Sequence, residues 1–113
     1  MTDVTTTHIS DAAEVAELFE RSSAEPVLVF KHDPYCPISL TAEREVRKAG
    51  FPTHVVDVAH DKQAASAITE RSRVRHESPQ VLVLHHGQAT WSASHFDVTA
   101  EGIARAMEQA QTA

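Results

Sequence analysis

The sequence predicts an α/β fold built on a mixed central β-sheet of four to five strands flanked by four helices. Two apolar runs, at 27–30 and 81–84, are continuous rather than alternating, as expected for strands covered on both faces. Segments with helical spacing alternate with these and other strand-like runs. Near the end, Gly87 marks a hairpin, which brings antiparallel pairing into an otherwise crossover-connected sheet.

The elements follow in order. A short strand is expected at 4–9. Ser10 is an N-cap residue type and Asp11 and Glu14 suit a first turn, so a helix is expected over 11–22, with Val15, Leu18, Phe19 and Ser22 on one face. Pro26 ends the loop before the strand at 27–30. A second helix follows Cys36-Pro37, with Ile38, Ala42, Val46 and Ala49 inward and Gly50 as its stop. A strand is expected at 54–58, and a third helix opens at Asp61 and runs to about Ser72. Pro79 precedes the strand at 81–84, and 89–95 returns antiparallel to it. Thr99 caps a last helix whose buried stripe is Ile103, Ala106, Met107 and Ala110, with Val98 stapled onto Ile103. Right-handed crossovers place helices on both sheet faces and the strand at 27–30 centrally. Its C-terminal end leads to Cys36, at the edge where open α/β sheets place their sites.

Composition narrows function. The 113 residues fit a single domain, 1–113, and the apolar fraction of 42% supports a packed core. The net charge of −6 argues against nucleic acid as a partner, because phosphate binding needs clustered Lys and Arg. No segment reaches the ~20 apolar residues of a membrane helix. Residues 1–10 are polar and lack the order of a signal peptide, and the lone cysteine permits no internal disulfide, so a cytoplasmic location is expected.

Cys36 carries the chemistry. It lies between a buried strand and a helix start, where the unpaired N–H groups and the helix dipole favour thiolate over thiol. Pro37 fits the first helical position. Ser39 stands where a two-cysteine redox motif has its second thiol, and its hydroxyl is placed to donate to the sulfur. Without a resolving thiol, Cys36 keeps what it captures until an outside thiol releases it. The plainer alternative is an inert, buried cysteine.

Three segments carry a family resemblance: Cys36-Pro37-Ile38-Ser39 after Phe30-Lys31-His32; His76-Glu77-Ser78-Pro79-Gln80; and Trp91-Ser92-Ala93-Ser94-His95-Phe96-Asp97-Val98-Thr99. In order and interval, from about residue 9 to 108, they closely resemble the monothiol bacilliredoxin family, the YtxJ-like proteins. The resemblance implies a thioredoxin-like fold and a monothiol thiol-disulfide oxidoreductase that removes bacillithiol from S-bacillithiolated proteins. It makes Cys36 the nucleophile and Pro79 the cis-proline facing it. It implies bacillithiol as co-substrate with no tightly bound cofactor, and bacillithiolated client proteins and a bacillithiol disulfide reductase system as partners. Tyr35 stands where relatives carry threonine, next to the reacting sulfur.

The same resemblance frames the remaining candidates. A cis turn at Pro79 presents the Ser78 backbone to an extended thiol substrate. Lys31, Arg73, Arg75 and His76 are candidates for the malate carboxylates of bacillithiol, against the alternative of a solvated charged face. Asp97 is a candidate for the cysteinyl amine, against the alternative of an acid at a helix start. With Tyr35 and Pro37, these are the expected substrate contacts. Trp91 and His95, four apart on the last strand, are expected to face one side as structural residues. Metal binding at His85, His86 and His95 is not expected, because neighbours on a strand point to opposite faces. Two other readings of Cys36 stand beside the enzyme: a redox sensor without catalysis, and an iron–sulfur carrier of the monothiol glutaredoxin kind. Such carriers have Cys-Gly-Phe-Ser, and Pro37 replaces the glycine that lets a cluster approach.

Overall fold

The computed structural model describes residues 5–112. Five strands and four helices are present: β1 (Thr6–His8), α1 (Ala12–Arg21), β2 (Val27–His32), α2 (Pro37–Ala49), β3 (Thr53–Asp57), α3 (Lys62–Ser72), β4 (Gln80–His85), β5 (Gln88–Ser94) and α4 (Ala100–Thr112), with a 3-10 turn at His95–Asp97. The strand order is β1-β3-β2-β4-β5. β1 and β2 run parallel to β3, whereas β4 is antiparallel to β2 and β5 to β4. The expected strand at 4–9 is found as β1 from Thr6; its proposed first residue, Val4, lies outside the described residues.

β2 is central, and its side chains divide by parity. Val27 and Val29 pack with Val15, Leu18 and Phe19 of α1 and Ala64 and Ile68 of α3. Leu28 and Phe30 pack with Ala42 and Val46 of α2 and Ile103 and Met107 of α4. This double burial is why β2 and β4 read as unbroken apolar runs. β2 extends two residues past the expected end, because Lys31 and His32 pair with Val56 and Asp57 of β3.

Local chemistry sets the ends. Asp11, not Ser10, caps α1: its carboxylate accepts the Glu14 N–H at 2.8 Å, while the Ser10 N–H donates to Glu14 Oε1 at 2.8 Å. The two exchange roles because a carboxylate in extended backbone at 11 reaches the third helical N–H. Gly50 closes α2 with φ 78°, a left-handed conformation that costs glycine little. Thr99 caps α4 by accepting the Gly102 N–H at 3.1 Å. The buried Ser22 accepts the Gly87 N–H on its hydroxyl at 3.0 Å and the His86 N–H on its carbonyl at 2.8 Å, which fastens the β4–β5 hairpin to α1.

The strand directions bring four connections to one edge. β2 and β3 end there, β4 starts there, and β5 ends there, as the pairs His32–Asp57, Lys31–Gln80 and Gln80–Ser94 show. Residues 33–36, 58–61, 76–79 and 95–97 therefore lie around the same rim.

Candidate active site

Cys36 is the residue at the start of α2, in extended backbone (φ −108°, ψ 121°), with Pro37 at the first turn. Its carbonyl accepts the N–H groups of Ser39 at 3.0 Å and Leu40 at 3.2 Å. Its side chain is half-buried and its thiol unpaired in a disulfide. The turn before it is organised by Asp33, whose Oδ1 accepts the Tyr35 N–H at 2.9 Å and whose carbonyl accepts the Cys36 N–H at 3.1 Å. An Asx turn followed by proline at the first helical position holds the cysteine at the mouth of the helix.

Ser39 is fully buried. Its Oγ accepts the Asp33 N–H at 2.9 Å and lies 2.6 Å from His32 Nδ1. The expectation pairs this hydroxyl with Cys36; its partners here are the Asp33 N–H and His32 Nδ1 instead. His32 stacks on Phe30 at 5.1 Å and directs Nε2 toward Glu43 Oε2 at 3.9 Å.

The Ser78–Pro79 peptide bond is cis, as expected. The Pro79 carbonyl accepts the His95 N–H at 2.9 Å, joining this turn to the one after β5. Ser78 Oγ is buried without a hydrogen-bond partner among the described residues.

Lys31 is a second correction. Expected on a charged rim with Arg73, Arg75 and His76, its side chain is fully buried and Nζ bonds Gln80 Oε1 at 3.0 Å. Its parity in β2 points it into the sheet face covered by α1 and α3. Burial lowers its pKa to about 8, with the nearby Glu77 carboxylate opposing the shift. Gln80 completes the network by donating from Nε2 to the Arg75 carbonyl at 3.1 Å and to Ser94 Oγ at 3.3 Å. His76 titrates below the usual imidazole value, from desolvation first and the Lys31 charge second, so it is a neutral donor rather than a cation at neutral pH. Arg73 and Arg75 are exposed, and Arg73 ends α3 in left-handed backbone at φ 61°. Asp97 is exposed in the 3-10 turn rather than in a helix's first turn.

His95 also departs from expectation. β5 ends at Ser94, and His95 turns away with φ 54°, so it does not share a strand face with Trp91. Trp91 is half-buried and packs on the α2 and α4 layer. His86 sits in the hairpin turn at φ 57°, outside the strand, with its ring 3.7 Å from that of His85; the opposite-faces argument does not apply to this pair. Among the described residues, no group of three or more His, Cys, Asp or Glu gathers as metal ligands.

Sequence reasoning missed His32, Glu43, Asp57, His60 and Gln80. Tyr35 Oη lies 3.1 Å from His60 Nε2, and His60 Nδ1 lies 2.8 Å from Asp57 Oδ2. The spacing of Asp57 and His60 at a strand end is a local signal of an Asx turn. The contact with Tyr35, 25 residues away, has no local signal. A groove of about 510 Å³ lies along α3, between Val58, Lys62, Thr69 and His76, and Cys36 does not line it. The cysteine occupies an open edge instead.

A cysteine at a helix start after the central strand, at the same sheet edge as a cis-proline turn, on a β1-β3-β2-β4-β5 sheet, defines a thioredoxin-fold protein. Similar solved structures include a candidate oxidoreductase with a thioredoxin fold, 24% identical, with a TM-score of 0.82 over 90% of this chain and 93% of that one. The thioredoxin of Fasciola hepatica is 13% identical with a TM-score of 0.71, over 93% of this chain and 99% of that one. A mutant thioredoxin from Halobacterium salinarum NRC-1 is 14% identical with a TM-score of 0.73, over 98% and 96%. Residues 7–103 match the family described as monothiol bacilliredoxin BrxC, and the chain belongs to that family. Its function is accordingly thiol redox chemistry, as a thiol oxidoreductase. Among the described residues, no helix is long and apolar enough to cross a membrane.

Proposed function

We propose that this protein removes bacillithiol from S-bacillithiolated proteins, with Cys36 as nucleophile in a monothiol cycle. The observation that carries the reading is the half-exposed Cys36 at the start of α2 with serine, not cysteine, three residues on. The Cys36 thiolate attacks the bacillithiol sulfur of the mixed disulfide. The protein–bacillithiol S–S bond breaks, a new bond forms between Cys36 and bacillithiol, and the client thiolate leaves and takes a proton. A second bacillithiol thiolate then attacks this disulfide, regenerating Cys36 and releasing bacillithiol disulfide, which a bacillithiol disulfide reductase returns to thiol.

Other residues have supporting roles in this reading. The Pro79 turn presents the Ser78 backbone to the extended substrate. The exposed Arg73 and Arg75 take the malate carboxylates, with His76 as a neutral donor, and Asp97 takes the amine. Lys31, sealed behind the sheet, supports the turn through Gln80 rather than touching substrate. Tyr35 and Pro37, which flank Cys36 in the chain, supply further substrate contacts. A reducing, cytoplasmic setting suits a lone thiol working this cycle.

The test is mass spectrometry of a bacillithiolated client incubated with the protein and bacillithiol. The client should lose the bacillithiol mass, and a Cys36–bacillithiol adduct should accumulate when free bacillithiol is withheld. A client that keeps its modification would refute the reading. A purified protein that is coloured and binds iron and sulfide would favour the carrier.

A further inference from the structure

An exposed aromatic ring beside a nucleophile is normally free to rotate, yet Tyr35 is tethered. The residue is 74% exposed, it directly precedes Cys36, and its hydroxyl lies 3.1 Å from His60 Nε2. The two rings sit 5.7 Å apart at 59°, an edge-on approach rather than a stack. His60 is itself held from behind. Asp57 Oδ2 lies 2.8 Å from His60 Nδ1, and Asp57 Oδ1 accepts the N–H groups of Ala59 at 2.9 Å and His60 at 3.1 Å. Asp57 ends β3, and its register partner is His32 at the end of β2. The chain Asp57–His60–Tyr35 therefore ties the residue before Cys36 to the neighbouring strand.

The protons can be assigned. A carboxylate only accepts, so His60 Nδ1 carries a proton toward Asp57. Nε2 then either accepts the Tyr35 hydroxyl proton or, in the imidazolium, donates to Tyr35 Oη. The tether survives in both states. The Asp57 hydrogen bond, then its charge, and more weakly that of Asp61 raise the His60 pKa, and the charged form makes the stronger bond to Tyr35.

We infer that Asp57 and His60 are positioning residues that hold the Tyr35 ring as a fixed wall beside Cys36, against which the thiol-bearing half of a mixed disulfide lies. This rests on the thiol-disulfide reading of Cys36. A ring already fixed spares the bound state the cost of ordering it, so the tether acts on substrate affinity rather than on the attack at sulfur.

The experiment is single-turnover capture of a bacillithiol–peptide mixed disulfide by Cys36, read by mass as a function of peptide concentration. Wild type is compared with Tyr35→Phe, His60→Ala and the double variant. Each single change should raise the half-saturating concentration about three- to tenfold, the size of one net hydrogen bond, and change the limiting rate less than about twofold. The double variant should be no worse than either single one, because both break the same tether. Unchanged half-saturation in Tyr35→Phe, or additive losses in the double variant, overturns the inference alone. No capture by wild type overturns the thiol-disulfide reading and this inference with it. Histidine NMR supplies an independent arm: the His60 titration should lie above that of a free imidazole and move to lower pH in Asp57→Asn. A His60 titration that Asp57→Asn leaves in place would show that the tether is absent in solution, and would overturn it too.

Discussion

Ser39 Oγ and His32 Nδ1 are 2.6 Å apart, and this contact spans from the end of β2 to the first turn of α2. With the Asp33 N–H also bound to the same oxygen, Ser39 fixes the loop that carries Cys36 from both sides. The serine of the Cys-x-x-Ser motif is thus part of the scaffold of the cysteine loop, whatever it also does during reaction.

Ser39→Ala should lower stability by about 1–3 kcal/mol, because it strands two polar partners in a half-buried site. Urea unfolding at neutral pH measures this. A loss under about 0.5 kcal/mol would show that water replaces the hydroxyl without cost.

Cys36→Ser should abolish de-bacillithiolation, since a hydroxyl is a far weaker nucleophile and the sequence has no other cysteine. The variant should keep the wild-type melting temperature within a few degrees. Turnover surviving in a folded Cys36→Ser protein would remove Cys36 from the mechanism.

Lys31 gives stability a pH dependence of known sign. Its pKa is lowered from 10.5 to about 8 on folding, so between those values the unfolded chain holds more protons than the folded one. Stability therefore rises with pH across that window, by on the order of 3 kcal/mol for this group. Lys31→Met should lack that rise. Denaturant midpoints for both proteins at pH values between 7 and 11 test it, and parallel curves would show that Lys31 ionises in the fold as it does in water.

The arginines bear on specificity. Replacing Arg73 and Arg75 together by alanine should raise the KM for a bacillithiolated peptide several-fold, more at low salt than high, as exposed charge pairs contribute at most about 1 kcal/mol each. The same peptide carrying glutathione should suffer less. Equal losses on both substrates would mark the pair as a solvated face. A separate change, Arg73→Gly, should stabilise the fold by about 0.5–1 kcal/mol by relieving the left-handed backbone.

The sequence by itself determined the order of elements and the place of the cysteine. Continuous apolar runs identified β2 and β4 because both faces of these strands are covered, and Pro37 and Gly50 bounded α2 through backbone chemistry local to each residue. The three motif segments carried the family. What only the tertiary structure decided is which polar side chains meet. Lys31 looked like a rim cation because it is a positive charge just past a buried run, but strand parity turned it inward onto Gln80, 49 residues away. Ser39 met His32, since the end of a buried strand brought an imidazole nitrogen within 2.6 Å of its hydroxyl. Tyr35 found His60 across two strands for the same reason. Periodicity records which face a residue shows, and backbone chemistry records where an element stops. Neither records the register between strands, and register placed Asp57 beside His32 and so brought His60 to the residue before the cysteine.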